Sequence, residues 1–307
     1  MRTFIRKITL FTSILLLVLI LMNHWMDQEL NPHYPLQYDE LFHPKVNADV
    51  IILGASPATH GINPKYLETD HLKVFNFALN GASPAFNLRW YQRIFRSHYR
   101  KPSYVIYGVH WVMFDGQFLK RRFEQDSKYF PFDVFVKEMR DLRTLKGLLL
   151  NRFAFIRERK QLMSRVVQLF KRQHEEVFLK SGYYQGYIPF ETKRDLSEEV
   201  VNARIEESQL RAFEELLDEF ERDGVKVIFV EVPGYLYGFD SSTLSENIKL
   251  LKKIAEERKI PFLDYETKRT TAINTNPALF SDSAHLNGKG SEAFSQLLKK
   301  DLDGLLN

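Results

Sequence analysis

The chain has 307 residues, 44% hydrophobic and 27% charged, with net charge +4 and pI about 9.0; this supports one substantial core plus an appendage and excludes a disordered chain. The positive charge is spread along helical stretches, which reads as a solvated surface, so no nucleic-acid partner is expected. There is no cysteine, which excludes disulfides, thiolate metal sites and a cysteine nucleophile, and an exported domain built this way suits a bacterium better than a eukaryotic secretory route.

Residues 1–26 read as an N-terminal membrane anchor. Arg2, Arg6 and Lys7 precede an apolar run from Ile8 to Met22, with Trp25 and Met26 just beyond. At about 1.5 Å per residue, Ile8 to Met26 is just long enough to cross a bilayer core. A cleaved signal peptide needs small residues at its cut site, and the run ends instead in Met22-Asn-His-Trp-Met26. An uncleaved single-pass transmembrane helix is therefore expected, with the basic N-terminus cytoplasmic and the rest extracytoplasmic. Residues 27–47, with Pro32, Pro35 and Pro44, read as a tether.

From residue 48 onward, short apolar strands alternate with amphipathic helices. Strands are expected at Val50–Leu53, Val74–Phe77, Tyr104–Tyr107, Val225–Val230 and Pro261–Leu263. Each is short and apolar, as in a parallel sheet buried on both faces. Helices are expected at Ala85–His98, Glu198–Asp223, Ser245–Lys259 and Gly290–Leu306. In the second, Leu210, Phe213, Leu216, Leu217 and Phe220 recur at helical spacing and should face the core. Gly224 should stop that helix before the next strand. The alternation predicts an α/β fold, a three-layer doubly wound parallel sheet. Residues 115–197 interrupt it and read as an inserted helical segment, helical through 133–180. An aromatic, glycine-bearing loop at Ser181–Phe190 then lies near the site mouth.

The chemistry-bearing residues fall at strand ends, where ligands collect in open parallel sheets. Ser56 follows the first strand in Gly54-Ala55-Ser56. Asp282-Ser-Ala-His285 precedes the last helix, with Gly288 and Gly290 allowing a tight turn into it. A serine here can nucleate acyl transfer if His285 takes its proton and Asp282 orients His285. Without the Asp-x-x-His, Ser56 would be read as a simple helix cap. An oxyanion needs donors, and the backbone N–H of Ser56 is one natural donor; Gly81 follows the second strand and lets backbone approach a ligand closely, or is a plain turn glycine. His110, after the third strand in Gly108-Val-His-Trp111, offers a side-chain donor or substrate contact at the same edge. The nine histidines include no His-Glu-x-x-His, Asp282 and His285 lack a third ligand in sequence reach, and no glycine-rich phosphate loop occurs. No metal and no cofactor is expected.

These strand ends and the Asp-x-x-His resemble the four sequence blocks of SGNH (GDSL-like) hydrolases over roughly 48–111 and 225–304. Ser56 matches the nucleophile, in Gly-Ala-Ser rather than Gly-Asp-Ser. Gly81 matches the oxyanion glycine, and Asp282 and His285 match the last block. The third block usually reads Gly-x-Asn-Asp, and here His110 stands in the place of the asparagine donor. The anchor, the altered blocks and the insertion further resemble extracytoplasmic SGNH-like proteins of bacterial envelope polymer modification, among them alginate O-acetylation and teichoic acid D-alanine transfer proteins. That resemblance implies a serine O-acyltransferase or esterase acting on an envelope polysaccharide or teichoic acid, with a membrane-bound O-acyltransferase as partner. The other reading is a noncatalytic SGNH-like scaffold that binds glycopolymer or docks on such an acyltransferase. An α/β-hydrolase fits less well, because only one strand precedes Ser56 and acid and base lie three residues apart.

Overall fold

The computed structural model describes residues 2–30, 41–42, 47–117, 119–140, 177–178, 184–185, 203–235, 246–266, 271–282 and 284–306. The chain divides into two units, residues 1–35 with 124–173, and residues 36–123 with 174–307.

The first unit contains helices α1 (Arg2–Leu30) and, in part of the insertion, α4 (Phe132–Met139). In α1, Arg2–Trp25 contains an 18-residue stretch of mean hydropathy 2.2 and is long and apolar enough to cross a membrane, a test that a signal sequence also passes. Its apolar side chains, such as Phe11 and Ile20, are exposed at 68% and 63%, which favours a non-aqueous surrounding.

The second unit holds the sheet. Strands β1 (Val50–Gly54), β2 (Val74–Asn76), β3 (Tyr104–Val109), β6 (Lys226–Glu231) and β7 (Phe262–Asp264) pair in parallel in the order β2-β1-β3-β6-β7. This is a doubly wound α/β sheet with its switch point between β1 and β3. The expected strands all form, to within one or two residues at their ends. A separate antiparallel ladder joins β4 (Val177–Phe178) to β5 (Tyr184–Gln185), so the helix expected through 180 does not reach its end; Val and Phe favour a pleated strand. The rest of that expected helix beyond 140 lies outside the described residues. The β5 backbone runs beside α2 (Ser56–Gly61).

Strand periodicity sorts the core into two layers. Val50, Ile52, Tyr104, Ile106, Ile228 and Val230 point to the face covered by α2 and α8 (Gly288–Leu302), where they cluster with Phe294, Leu298 and Leu302. The alternate residues point to the face of α3 (Pro84–Trp90) and α5 (Glu207–Arg222). There Phe213 lies 5.2 Å from Tyr107 and 5.5 Å from Phe229, ring to ring. Helix α3 continues through a π-helical turn, Tyr91–Phe95, to a last turn at Arg96–His98, inside the single helix expected over 85–98.

Helix α5 begins at Glu207, nine residues later than expected. Residues 203–206 are not helical because their backbone is used elsewhere. Arg204 N–H donates to Asp115 at 3.0 Å, and Glu206 N–H donates to the Phe114 carbonyl at 3.1 Å. These bonds close the insertion at its root. Gly224 has φ +67°, the left-handed conformation that ends the helix before β6. Two residues of the expected tether, Leu41 and Phe42, are buried, and Trp90 Nε1–H donates to the Leu41 carbonyl at 2.9 Å. The second unit therefore recruits chain from before residue 48. The remaining helices are α6 (Glu246–Glu257) and the short α7 (Thr271–Asn274).

Candidate active site

Ser56 is placed by a close glycine contact. Gly54 and Gly108 are paired across β1 and β3, and α2 sits on them through Ala58. A Cβ on Gly108 would lie 2.4 Å from the Ala58 Cβ, and one on Gly54 would lie 2.7 Å from the Gly108 carbonyl oxygen. Gly54 also has φ +136°, which turns the chain sharply out of β1. Ser56 is the first residue of α2, not its cap. The cap position belongs to Ala55, whose side chain makes no bond, so the simple-cap reading of Ser56 is set aside. The buried Asn76 holds the far end of α2, its Nδ2 donating to the carbonyls of Ala58 and Ile62 at 3.0 and 2.9 Å.

His285 is placed by the turn leading into α8. Asn287 caps that helix, its Oδ1 accepting from the N–H groups of Lys289 and Gly290 at 3.0 Å each. Its Nδ2 donates to the Ala278 and Phe280 carbonyls, binding the preceding loop to the helix start. Gly290 is required by close approach rather than by turn geometry: a Cβ there would lie 2.0 Å from the Leu279 carbonyl oxygen. Neither Gly288 nor Gly290 adopts positive φ, so the tight-turn role expected of them is replaced by Asn287 capping.

The two elements bring the candidate triad together. His285 Nε2 lies 2.8 Å from Ser56 Oγ, and His285 Nδ1 lies 2.8 Å from both Asp282 carboxylate oxygens. Asp282 Oδ1 also accepts from the N–H groups of Ala284 and His285 at 2.8 and 2.9 Å. Burial alone would raise the Asp282 carboxyl, but the His285 ring and these backbone donors hold it below the ordinary carboxylate range. In this arrangement Nδ1–H donates to Asp282 and Nε2 accepts from Ser56, the tautomer a general base needs.

The candidate oxyanion donors surround the same strand ends. Among the described residues, neither Ser56 N–H nor Gly81 N–H has a protein acceptor. Gly81 has φ +73°, so glycine is required there by backbone conformation, and its carbonyl accepts from Arg121 N–H at 3.1 Å. His110 is buried two residues beyond Gly108, as Ser56 is two beyond the register partner Gly54. Burial, aided by His285, pushes the His110 pKa down to about 3, so its ring is neutral at ordinary pH and keeps one N–H to donate.

One residue of the site escaped the sequence reading. His60 lies one turn after Ser56 in α2, and its ring meets His285 edge-on with centroids 5.2 Å apart. The available signal was its i+4 spacing from Ser56 on a helix. Among the described residues, no group of three or more His, Cys, Asp or Glu is arranged to hold a metal.

No family profile matches the chain. No curated protein matches it. Among solved structures, it is similar to a protein of Bacteroides fragilis NCTC 9343 assigned as an acylhydrolase (14% identity, 90% of this chain and 97% of that one, TM-score 0.40). It is also similar to a GDSL-like lipase of Bacteroides thetaiotaomicron VPI-5482 (13% identity, 90% and 98%, TM-score 0.40). A third is a Streptococcus pneumoniae protein assigned as a platelet activating factor (10% identity, 95% and 99%, TM-score 0.45). Likenesses this distant leave the chemistry to be read from the sheet order and the Ser56–His285–Asp282 geometry.

Proposed function

We propose that this chain is an SGNH-type serine acyltransferase or esterase. The observation that carries the reading is the 2.8 Å approach of His285 Nε2 to Ser56 Oγ, with Nδ1 held by both Asp282 oxygens. Ser56 Oγ attacks the acyl carbonyl carbon while His285 takes its proton. Ser56 N–H and Gly81 N–H receive the oxyanion, and neutral His110 serves as a third donor in this reading. The tetrahedral intermediate collapses, the donor oxygen leaves with the proton from His285, and an acyl-serine remains. An acceptor hydroxyl, deprotonated by His285, then releases the acyl group. A sugar or polyol hydroxyl as acceptor makes the reaction a transfer, and water makes it hydrolysis.

The apolar, exposed α1 supports action at a membrane, with the second unit extracytoplasmic. An envelope polysaccharide or teichoic acid is then the acceptor or substrate, and a membrane-bound O-acyltransferase is the partner that supplies acyl groups. The test uses the full chain in detergent with p-nitrophenyl acetate, with and without an oligosaccharide acceptor. Ester cleavage, Ser56-dependent labelling by a fluorophosphonate and acetylated oligosaccharide are expected. A folded protein that neither labels at Ser56 nor cleaves the ester, yet binds glycopolymer, is the noncatalytic scaffold instead.

A further inference from the structure

His285 is gripped at two ring nitrogens, by Ser56 on one side and Asp282 on the other. With the Cβ–Cγ bond these contacts set the mean ring plane, but the ring can still rock about the line between its two partners. A contact off that line limits the rocking. His60 provides it, meeting His285 edge-on at 65° with centroids 5.2 Å apart, within the range where aromatic pairs attract. The Asn80 amide faces the His60 ring and favours its protonated form, the weakest of the influences on it. Asn80 immediately precedes Gly81, whose N–H is the candidate oxyanion donor. The far side of that turn is fixed by Arg121, whose backbone N–H donates to the Gly81 carbonyl at 3.1 Å and whose guanidinium donates to the Asn80 carbonyl at 3.4 Å.

We propose that His60 is a positioning residue for the general base, clamping the plane of the His285 ring and linking it through Asn80 to the oxyanion turn. The proposal rests on the Ser56–His285–Asp282 acyl-transfer reading. It requires that His60 add no charge beside the imidazolium that forms during attack. The groups facing its ring are His285, Asp282 and the Asn80 amide. Burial first, then His285, push the His60 pKa down to about 3, while Asp282 and Asn80 oppose this, so the ring is neutral through the working range.

The experiment measures the rate of Ser56 labelling by a fluorophosphonate, and kcat and KM on p-nitrophenyl acetate from pH 5 to 9, for full-length wild type, His60→Ala, His60→Phe and Asn80→Ala. In His60→Ala, labelling and kcat should fall together by roughly 10²-fold, the scale of a misplaced reacting group, with KM unchanged. His60→Phe keeps a ring at the same place and should restore most of both. Asn80→Ala alters an exposed turn side chain and should slow labelling in the same direction by less. A folded His60→Ala protein with wild-type labelling and kcat overturns the proposal, as does His60→Phe no better than His60→Ala. If His60→Ala does not fold, Asn80→Ala decides: wild-type labelling overturns the link, and slowed labelling supports it. Wild type that fails to label at Ser56 defeats the acyl-transfer reading itself, whereas Ser56-dependent labelling indifferent to His60 defeats only this inference.

Discussion

The two faces of the sheet are built differently. On the α3–α5 face, large rings fill the space: Trp90, Tyr91, Phe95, Tyr107, Phe213, Phe220 and Phe229 are all essentially inaccessible. Its rim is tied by ions, with Arg96 bonded to Glu219 and Asp223 and Tyr91 donating to Asp223 at 2.8 Å. On the α2–α8 face, the helices are joined by small residues and hydrogen bonds. Ser291 Oγ donates to the Gly61 carbonyl at 2.9 Å, and Asn63 N–H donates to Ser295 Oγ at 2.9 Å. All these hydroxyls are fully buried. Helix α2 carries Ser56 and α8 follows His285, so this docking sets the distance between them. The aromatic face stabilises by close-packed bulk. The site face gains position from directional bonds and close glycine contacts.

The contrast breaks most sharply at the serine. Ser56→Ala should lower ester turnover by roughly 10⁵-fold or more while leaving thermal unfolding unchanged, since the covalent step is lost and no core contact is. Turnover near wild type would remove Ser56 as nucleophile. His285→Ala should cost about as much, and the double variant little more, because the pair acts as a unit. Strictly additive losses would show that they do not cooperate.

On the aromatic face the effect should be on stability alone. Phe213→Ala should cost about 3–5 kcal/mol in denaturant unfolding, with kcat per folded molecule unchanged. A matching fall in kcat would mean that the two faces are coupled.

His110→Ala should lower kcat by roughly 10²–10³-fold with little change in KM, as for one lost oxyanion donor, and His110→Asn should recover part of it. A change confined to KM, without rescue by Asn, would make His110 a substrate contact instead.

The smallest effect concerns Glu231, at the end of β6 and 2% exposed. Burial, then Glu266 and Asp264, raise its carboxyl well above the ordinary range, while Lys252 opposes them. A raised folded value means that its contribution is fully present below the unfolded carboxylate range and is lost as pH rises through the folded value. Glu231→Gln should therefore flatten the decline of Tm as pH rises above the unfolded carboxylate range, without altering turnover. An unchanged slope there would show that Glu231 does not drive it.

Much of this was legible in the sequence because buried parallel strands are short, uniformly apolar runs bounded by turn residues. Val50, Val74, Tyr104 and Phe262 open such runs, and their strands begin at or beside the expected points. Ser56, Gly81, His110, Asp282 and His285 stood out because each lies at or just beyond a strand end or before the last helix. Other features had no local signature. The start of α5 moved to Glu207 because Asp115 and Phe114, far away in sequence, claim the backbone of Arg204 and Glu206. Leu41 and Phe42 looked like tether because nothing near them announces Trp90 as a partner.

The sequence by itself determined the strand and helix alternation, the apolar N-terminal helix and the residue types available for acyl transfer, because these follow from periodicity and side-chain chemistry. Only the tertiary structure decided how the base singled out by the Asp-x-x-His spacing reaches the serine and what stands beside it. His60 had no such spacing to mark it, yet it meets the His285 ring. Docking of α8 on α2 through Ser291 and Ser295, and the Asn287 cap, aim His285 at Ser56; burial leaves His60 and His110 neutral beside it. Distance and solvation, which set reactivity, are properties of packing between segments more than 200 residues apart in the chain.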